Sequence, residues 1–220
     1  MDKRFLGIIA AILIIFVGVV AFTGNKTPST GNAQPTNHTT GKTTSSVTLV
    51  EYGDYECPAC ESFQPVVNQI TAKYSDRVKF QFRNLPLSSI HPNAFAGARA
   101  AEAADKQGKF WQMHEALYQN SNWSQWSTSK DPNPFFEQYA QQLGLNVTTF
   151  KADFASSAVN DSINADIAAF KKTGQQEATP TYFLNGTYIS NSNLLDASNQ
   201  PSFDAFAKLL DAELAKKATN

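Results

Sequence analysis

This 220-residue sequence holds only two cysteines and three histidines, and neither sign of charge is in excess. The net charge is −1 and no basic run exceeds Lys216-Lys217, which argues against nucleic acid as a partner. There is no internal repeat, and the length and composition fit one globular domain of ordinary size with extra segments. The histidines, His38, His91 and His114, have no paired spacing, so a zinc site built on the cysteines would lack two ligands. No cysteine follows the N-terminal apolar stretch, which excludes a lipid anchor on such a residue.

What the chain does have is a cysteine pair, Cys57-Pro58-Ala59-Cys60. Upstream, Val47 to Tyr52 is a short apolar, β-branched strand pattern. Downstream, Phe63, Val66, Val67 and Ile70 recur at helical spacing. Cys57 therefore falls at or next to a helix N-terminus, where unpaired N–H groups and a partial positive charge favour a thiolate. Such a setting lowers a thiol pKa from roughly 8.5 into the ~3.5–7.5 range and makes the sulfur a good leaving group. Cys60, one turn on, is expected to be more buried and to act as the resolving partner. Three blander readings compete with a redox pair. A structural bridge across two residues would close almost no loop entropy; half a zinc site is incomplete; two unrelated core cysteines would be a coincidence at this spacing.

At the N-terminus, Lys3-Arg4 precede an uninterrupted apolar run from Phe5 to Phe22. Its length lies near the short end of the ~17–25 residues of a membrane-spanning helix and exceeds the ~7–15 residue core of a signal peptide. Residues 1–22 are expected to be an uncleaved signal-anchor, or a cleaved signal with Val19-Val20-Ala21 as the cleavage region. Either delivers the rest to the outer side, because Lys3 and Arg4 outweigh Lys26 beyond the run. Disulfides form and persist in that compartment. Residues 23–46, rich in Thr, Ser, Gly and Asn, read as a disordered tether, with the ordered domain over 47–217.

Val78 to Arg83 alternates as a second strand, and its separation from the first by a helix argues for a parallel βαβ unit. Pro65 is expected to bend the intervening helix without ending it. A helical block follows over about 92–173, with Asn122 to Pro134 expected as a loop and Asn146 as an N-cap. Thr181 to Leu184 and Thr187 to Ile189 flank Asn185-Gly186, a two-residue hairpin turn, and Ser202 caps a final amphipathic helix. His91 and His114 are read as structural, with pH sensing or metal binding as the alternative. Trp123 and Trp126 either cover the insertion's own core or line a peptide groove. The Asn-x-Ser/Thr sequons at Asn37 and Asn146 are expected by chance in so Asn- and Thr-rich a chain.

A strand ending in Glu51-x5-Cys57-Pro58-Ala59-Cys60, a helix, a strand, a helical insertion and a Thr179-Pro180-Thr181 hairpin occur together. With Leu85-Pro86-Leu87, His91-Pro92 and Gln107-Gly108-Lys109-Phe110-Trp111, this combination resembles the thioredoxin-fold thiol–disulfide oxidoreductases of the DsbA type, in particular their membrane-anchored or secreted branch. The resemblance covers Val47 to about Lys216. It implies an α/β thioredoxin fold with an all-helical insertion between the βαβ half and a C-terminal β-hairpin–helix. It also implies a cis-proline at Pro180 beside the cysteines, and substrate peptide pairing with the backbone at Thr179. Glu51 matches a buried acidic residue that relays protons to and from the resolving cysteine; the competing, less favoured reading is an exposed carboxylate on an edge strand.

The resemblance further implies a disulfide oxidase for exported proteins, with Cys57 and Cys60 catalytic, no metal or organic cofactor, and reoxidation by a quinone-linked membrane partner. Ala59 stands where the strongest oxidants carry histidine, and Ala178 where many relatives carry glycine. A reductase or isomerase on the same fold therefore stays open, as does, from another class, a metallochaperone using the cysteines as soft ligands.

Overall fold

The computed structural model describes residues 33–218. The apolar N-terminal run and residues 23–32 of the expected tether lie outside them. Among the described residues, no helix is long and apolar enough to cross a membrane.

Five strands form one sheet in the order β1-β3-β2-β4-β5, where β1 is His38–Gly41, β2 Thr48–Gly53, β3 Lys79–Asn84, β4 Thr181–Leu184 and β5 Thr187–Ile189. Helix α1 (Pro58–Tyr74) crosses from β2 to β3, which pair in parallel from Thr48↔Lys79 to Gly53↔Asn84. The expected βαβ unit is present, and α1 continues through Pro65. β4 runs antiparallel to β2, with Glu51 opposite Tyr182. The β4–β5 turn places Asn185 and Gly186 at φ 50° and 81°, the two positive values that a tight hairpin of this hand demands.

Alternation along β2 decides what each face buries. Leu49 joins Phe63, Ile70, Phe80, Tyr182, Phe206 and Leu210 in a core under α1 and the last helix, α8 (Phe203–Ala218). Val50 and Tyr52 point the other way and pack with Phe170 and Phe183. Between β3 and β4 lie α2 (Ala94–Asp105), α3 (Phe110–Tyr118), α4 (Asn120–Trp126), α5 (Asn133–Gln142), α6 (Val147–Phe154) and α7 (Ser157–Lys171). These form the helical insertion, and α7 returns to the sheet through Phe170. Asn146 and Ser156 cap α6 and α7 by accepting from Thr149 and Val159 N–H groups.

Two expectations are corrected. The tether does not extend to residue 46, because Thr36 and His38 are buried and His38–Gly41 pairs with β3 as an edge strand. A polar segment is buried here because its polar atoms are satisfied. Thr36 donates its N–H and hydroxyl to Asp166 (2.7 and 2.6 Å), and His38 bonds Glu102 at 2.7 Å. Burial works against charge on His38, but its bonds to Asp105 and Glu102 outweigh that and raise its pKa to about 9. The expected loop over 122–134 instead begins inside α4. Tertiary anchors hold that short helix: Trp126 is fully buried and donates to Leu117 O, and Trp123 donates to Tyr55 O (2.8 Å).

Candidate active site

β2 ends at Gly53, and Asp54-Tyr55-Glu56 carry the chain to α1, whose N-cap is Cys57 and whose first residue is Pro58. Proline suits that position because its missing N–H would be unpaired there anyway. Pro58 and Ala59 are exposed, Cys57 is 6% exposed and Cys60 1%.

The two sulfurs sit in opposite electrostatic settings. The Cys60 thiol stabilises a Cys57 thiolate most; against the cost of burial, Thr179 and the N–H groups of Cys60 and Ala59 add to it, bringing Cys57 down to about 6. As a thiol, Cys57 donates to Thr179 O at 3.5 Å. The Thr179 hydroxyl, buried without another partner, is the group on that side that favours the thiolate. Cys60 is pushed well above the ordinary thiol range, first by burial and then by Cys57 and the charge of Glu51. The helix N-terminus thus supports one thiolate at neutral pH.

Pro180 follows Thr179 through a cis peptide bond and leads into β4. Glu51 is buried at 6% exposure, not displayed on an edge. Burial raises its pKa to about 8; Tyr182 opposes this, and the Cys57 charge adds to it. A cavity of about 30 Å³ adjoins Glu51, Tyr182 and His114, which is room for one water. Thus Cys57, Cys60, Thr179, Pro180 and Glu51 converge around one helix end.

Several residues that sequence reasoning missed hold the loop in place. Asp54 accepts from Glu56 N (2.8 Å), Leu87 N (2.9 Å) and His91 Nδ1 (2.7 Å), tying the loop to the segment after β3. Glu56 accepts from Asn93 N at the start of α2. Tyr118 donates to Asp54 O (3.1 Å), Trp123 to Tyr55 O, and the Tyr55 hydroxyl meets His114 Nδ1 at 3.0 Å. His114 is buried, and burial lowers its pKa to about 3, so its ring is neutral. His91 and His114 therefore brace the site without reaching the sulfurs. The Asp54-x-Glu56 spacing before the first cysteine was the available signal.

Among the described residues, neither cysteine joins a group of His, Cys, Asp or Glu side chains suited to a metal. His38, Glu102 and Asp105 do bring ligand atoms within 4.8 Å of one another, but they are engaged as ion pairs at 2.7 and 3.5 Å.

The Thioredoxin family model matches residues 33–212. This chain belongs to the thioredoxin family. Within it, the inserted helical block gives the DsbA-like form of the fold, as its likeness to solved structures shows. BdbD from Bacillus subtilis, in its oxidised form, superposes with a TM-score of 0.66 at 24% identity, covering 83% of this chain and 97% of that one. The alpha-DsbA1 protein of Wolbachia pipientis gives 0.66 at 19% identity, covering 84% and 94%. Among curated proteins, the Na(+)/H(+) antiporter NhaA 1 of Mycolicibacterium gilvum is 35% identical over 152 residues, covering 68% of this thioredoxin-family chain but 23% of the antiporter. The chain spans about a quarter of the length of the curated relatives it matches.

Proposed function

We propose that this protein is an extracytoplasmic disulfide oxidase that passes its Cys57–Cys60 disulfide to exported proteins. The observation that carries the reading is the contrast between the sulfurs at one helix end: Cys57 lowered to about 6 and the less buried, Cys60 raised and the more deeply buried. In the oxidised enzyme, a substrate thiolate attacks Cys57 Sγ and breaks the Cys57–Cys60 bond. Cys60 leaves with the electron pair and takes a proton from Glu51, which is mostly protonated at pH 7 because its pKa is about 8. A second substrate thiolate then attacks the substrate sulfur of the mixed disulfide, and Cys57 departs as its stabilised thiolate. The substrate has lost two electrons and the enzyme dithiol holds them. Thr179 and Pro180 present backbone to the substrate peptide as an added strand. A quinone-linked membrane partner takes up the electrons, and the apolar N-terminal run holds the protein at the membrane or exports it.

The magnitude of the thiol shift bears on direction. A pKa near 6 instead of 9 favours the reduced form at pH 7 by about 1.4 kcal/mol, roughly 30 mV for a two-electron couple. That makes the pair more oxidising than an unperturbed dithiol. A potential near ~−120 mV supports an oxidase, whereas one near ~−270 mV supports a reductase fed by a membrane donor. The decisive test combines that potential with variants: Cys57→Ser should abolish oxidation of a reduced protein, and Cys60→Ser should trap mixed disulfides. Full oxidase activity in Cys57→Ser would end the proposal.

A further inference from the structure

A cleft of about 560 Å³ lies between α1 and the α3–α5 part of the insertion. Its α1 wall lies on the helix stripe that begins at Cys57. Cys57, Glu61, Gln64 and Asn68 follow at helical spacings of four, three and four, so they share a face. From Cys57 to Asn68 that face runs ~16 Å at about 1.5 Å per residue.

The chemistry of the lining is one-sided. Glu61 and Glu115 line the cleft, no lysine or arginine does, and among the described residues neither carboxylate forms an ion pair. Next to the two carboxylates the asparagine donors are already engaged. Asn68 Nδ2 donates to Glu115 Oε2 (2.9 Å), Asn120 Nδ2 to Glu61 Oε1 (3.0 Å), and Asn122 Nδ2 to Ala116 O (2.9 Å) and Gln119 Oε1 (3.1 Å). Gln64, 5% exposed, spends its Nε2 on Asn68 Oδ1 and His114 Nε2, and its Oε1 has no donor. These bonds fix which end of each amide is oxygen. What remains beside the carboxylates is acceptors, the second oxygens of Glu61 and Glu115 and the amide oxygens of Asn120 and Asn122, while Gln112, Gln119 and Gln142 line the rest of the cleft with neutral amides. Partial burial raises the pKa of Glu115 against its bonds from Asn68 and Gln64, a cost that a bound cation would offset.

We infer that this cleft is a subsite for a cationic side chain, arginine or lysine, of the substrate polypeptide held at Cys57. The proposal rests on the oxidoreductase reading and adds a preference to it: substrates carrying a positive residue about five positions from the reacting cysteine, since extended chain spans ~16 Å in about five residues. Glu61 and Glu115 flank the cation, while Asn68 and Asn120 act as positioning residues that orient the two carboxylates.

The test uses the oxidised full chain and two reduced dicysteine peptides, identical except that one carries arginine at that position and the other citrulline, its neutral isostere. The arginine peptide should show a kcat/KM about two- to fivefold higher, the size expected of one partly exposed charge pair, and the advantage should shrink as salt rises. In the Glu61→Gln/Glu115→Gln variant the ratio between peptides should fall to one. Taking the ratio within each variant cancels any effect of Glu61 on the nearby thiol. Equal kcat/KM for both peptides in the wild type, or a preference that survives in the double variant, would overturn the subsite. A second arm titrates the same peptides, with serine for both cysteines, into the reduced full chain. Selective binding of the arginine peptide supports the subsite even where neither peptide is oxidised, so loss of the activity reading and loss of the subsite are told apart.

Discussion

Replacing Glu51 with glutamine probes the buried carboxyl without changing its shape. In the folded protein its pKa is about 8, against an ordinary value of 4.5. A carboxyl raised on folding binds more protons in the native state than in the unfolded one. Stability therefore falls as pH rises through the window from 4.5 to 8, the reverse of the usual salt-bridged carboxylate. At pH 7 the unfolded carboxyl is ionised and the folded one protonated, a cost of about 3 kcal/mol at 1.36 kcal/mol per unit. Glu51→Gln removes that cost and keeps a neutral side chain opposite Tyr182. Urea denaturation of the reduced protein should show the variant equal to wild type near pH 4 and more stable by about 3 kcal/mol at pH 7. The same variant should slow steps in which Cys60 gains or loses a proton. Parallel stability profiles across that window would refute the burial argument.

Other outcomes follow from single contacts. Thr179→Val removes the hydroxyl that favours the Cys57 thiolate and should raise the Cys57 pKa by about one to two units, given ~1.5–3 kcal/mol for a hydrogen bond to a charged group; an unchanged titration would discount that hydroxyl. His38, raised to about 9 from 6.5, contributes stability that is fully present below pH 6.5 and lost as pH climbs through 9. His38→Gln should flatten that part of the stability profile by about 3 kcal/mol, and a wild-type slope kept in the variant would contradict the ion-pair account. Gly53→Ala would drive a Cβ into the Phe82 ring, so it should lower stability by roughly 1–3 kcal/mol in denaturation; a neutral result would mean the ring yields freely.

The fold was legible where chemistry is local. Val47 to Tyr52, the helix spacing after Cys60 and Asn185-Gly186 each announce their own backbone state, and together they give the βαβ unit and the hairpin. Strand β1 was not legible, because His38-Thr39-Thr40-Gly41 is polar and its burial depends on partners far along the chain. Thr36 meets Asp166 across 130 residues. Helix α4 hid for the same reason: Asn120 to Trp126 are indifferent helix formers, held by two indole N–H groups whose acceptors lie outside the segment. At the site, the cysteine pair showed itself by spacing, but the braces on its loop did not. Tyr118, Trp123 and Asn93 become part of the site only once the insertion folds back on residues 54–56. The placement of Glu51 needed the register with β4, which puts Tyr182 opposite it.

The most direct measurement is an ultraviolet thiolate titration of the reduced protein beside its Cys57→Ser variant. The account predicts one thiolate appearing with a midpoint about 6, absent from the variant, and Cys60 silent through pH 9. A first midpoint near 9, or a curve that the substitution leaves unchanged, would contradict it.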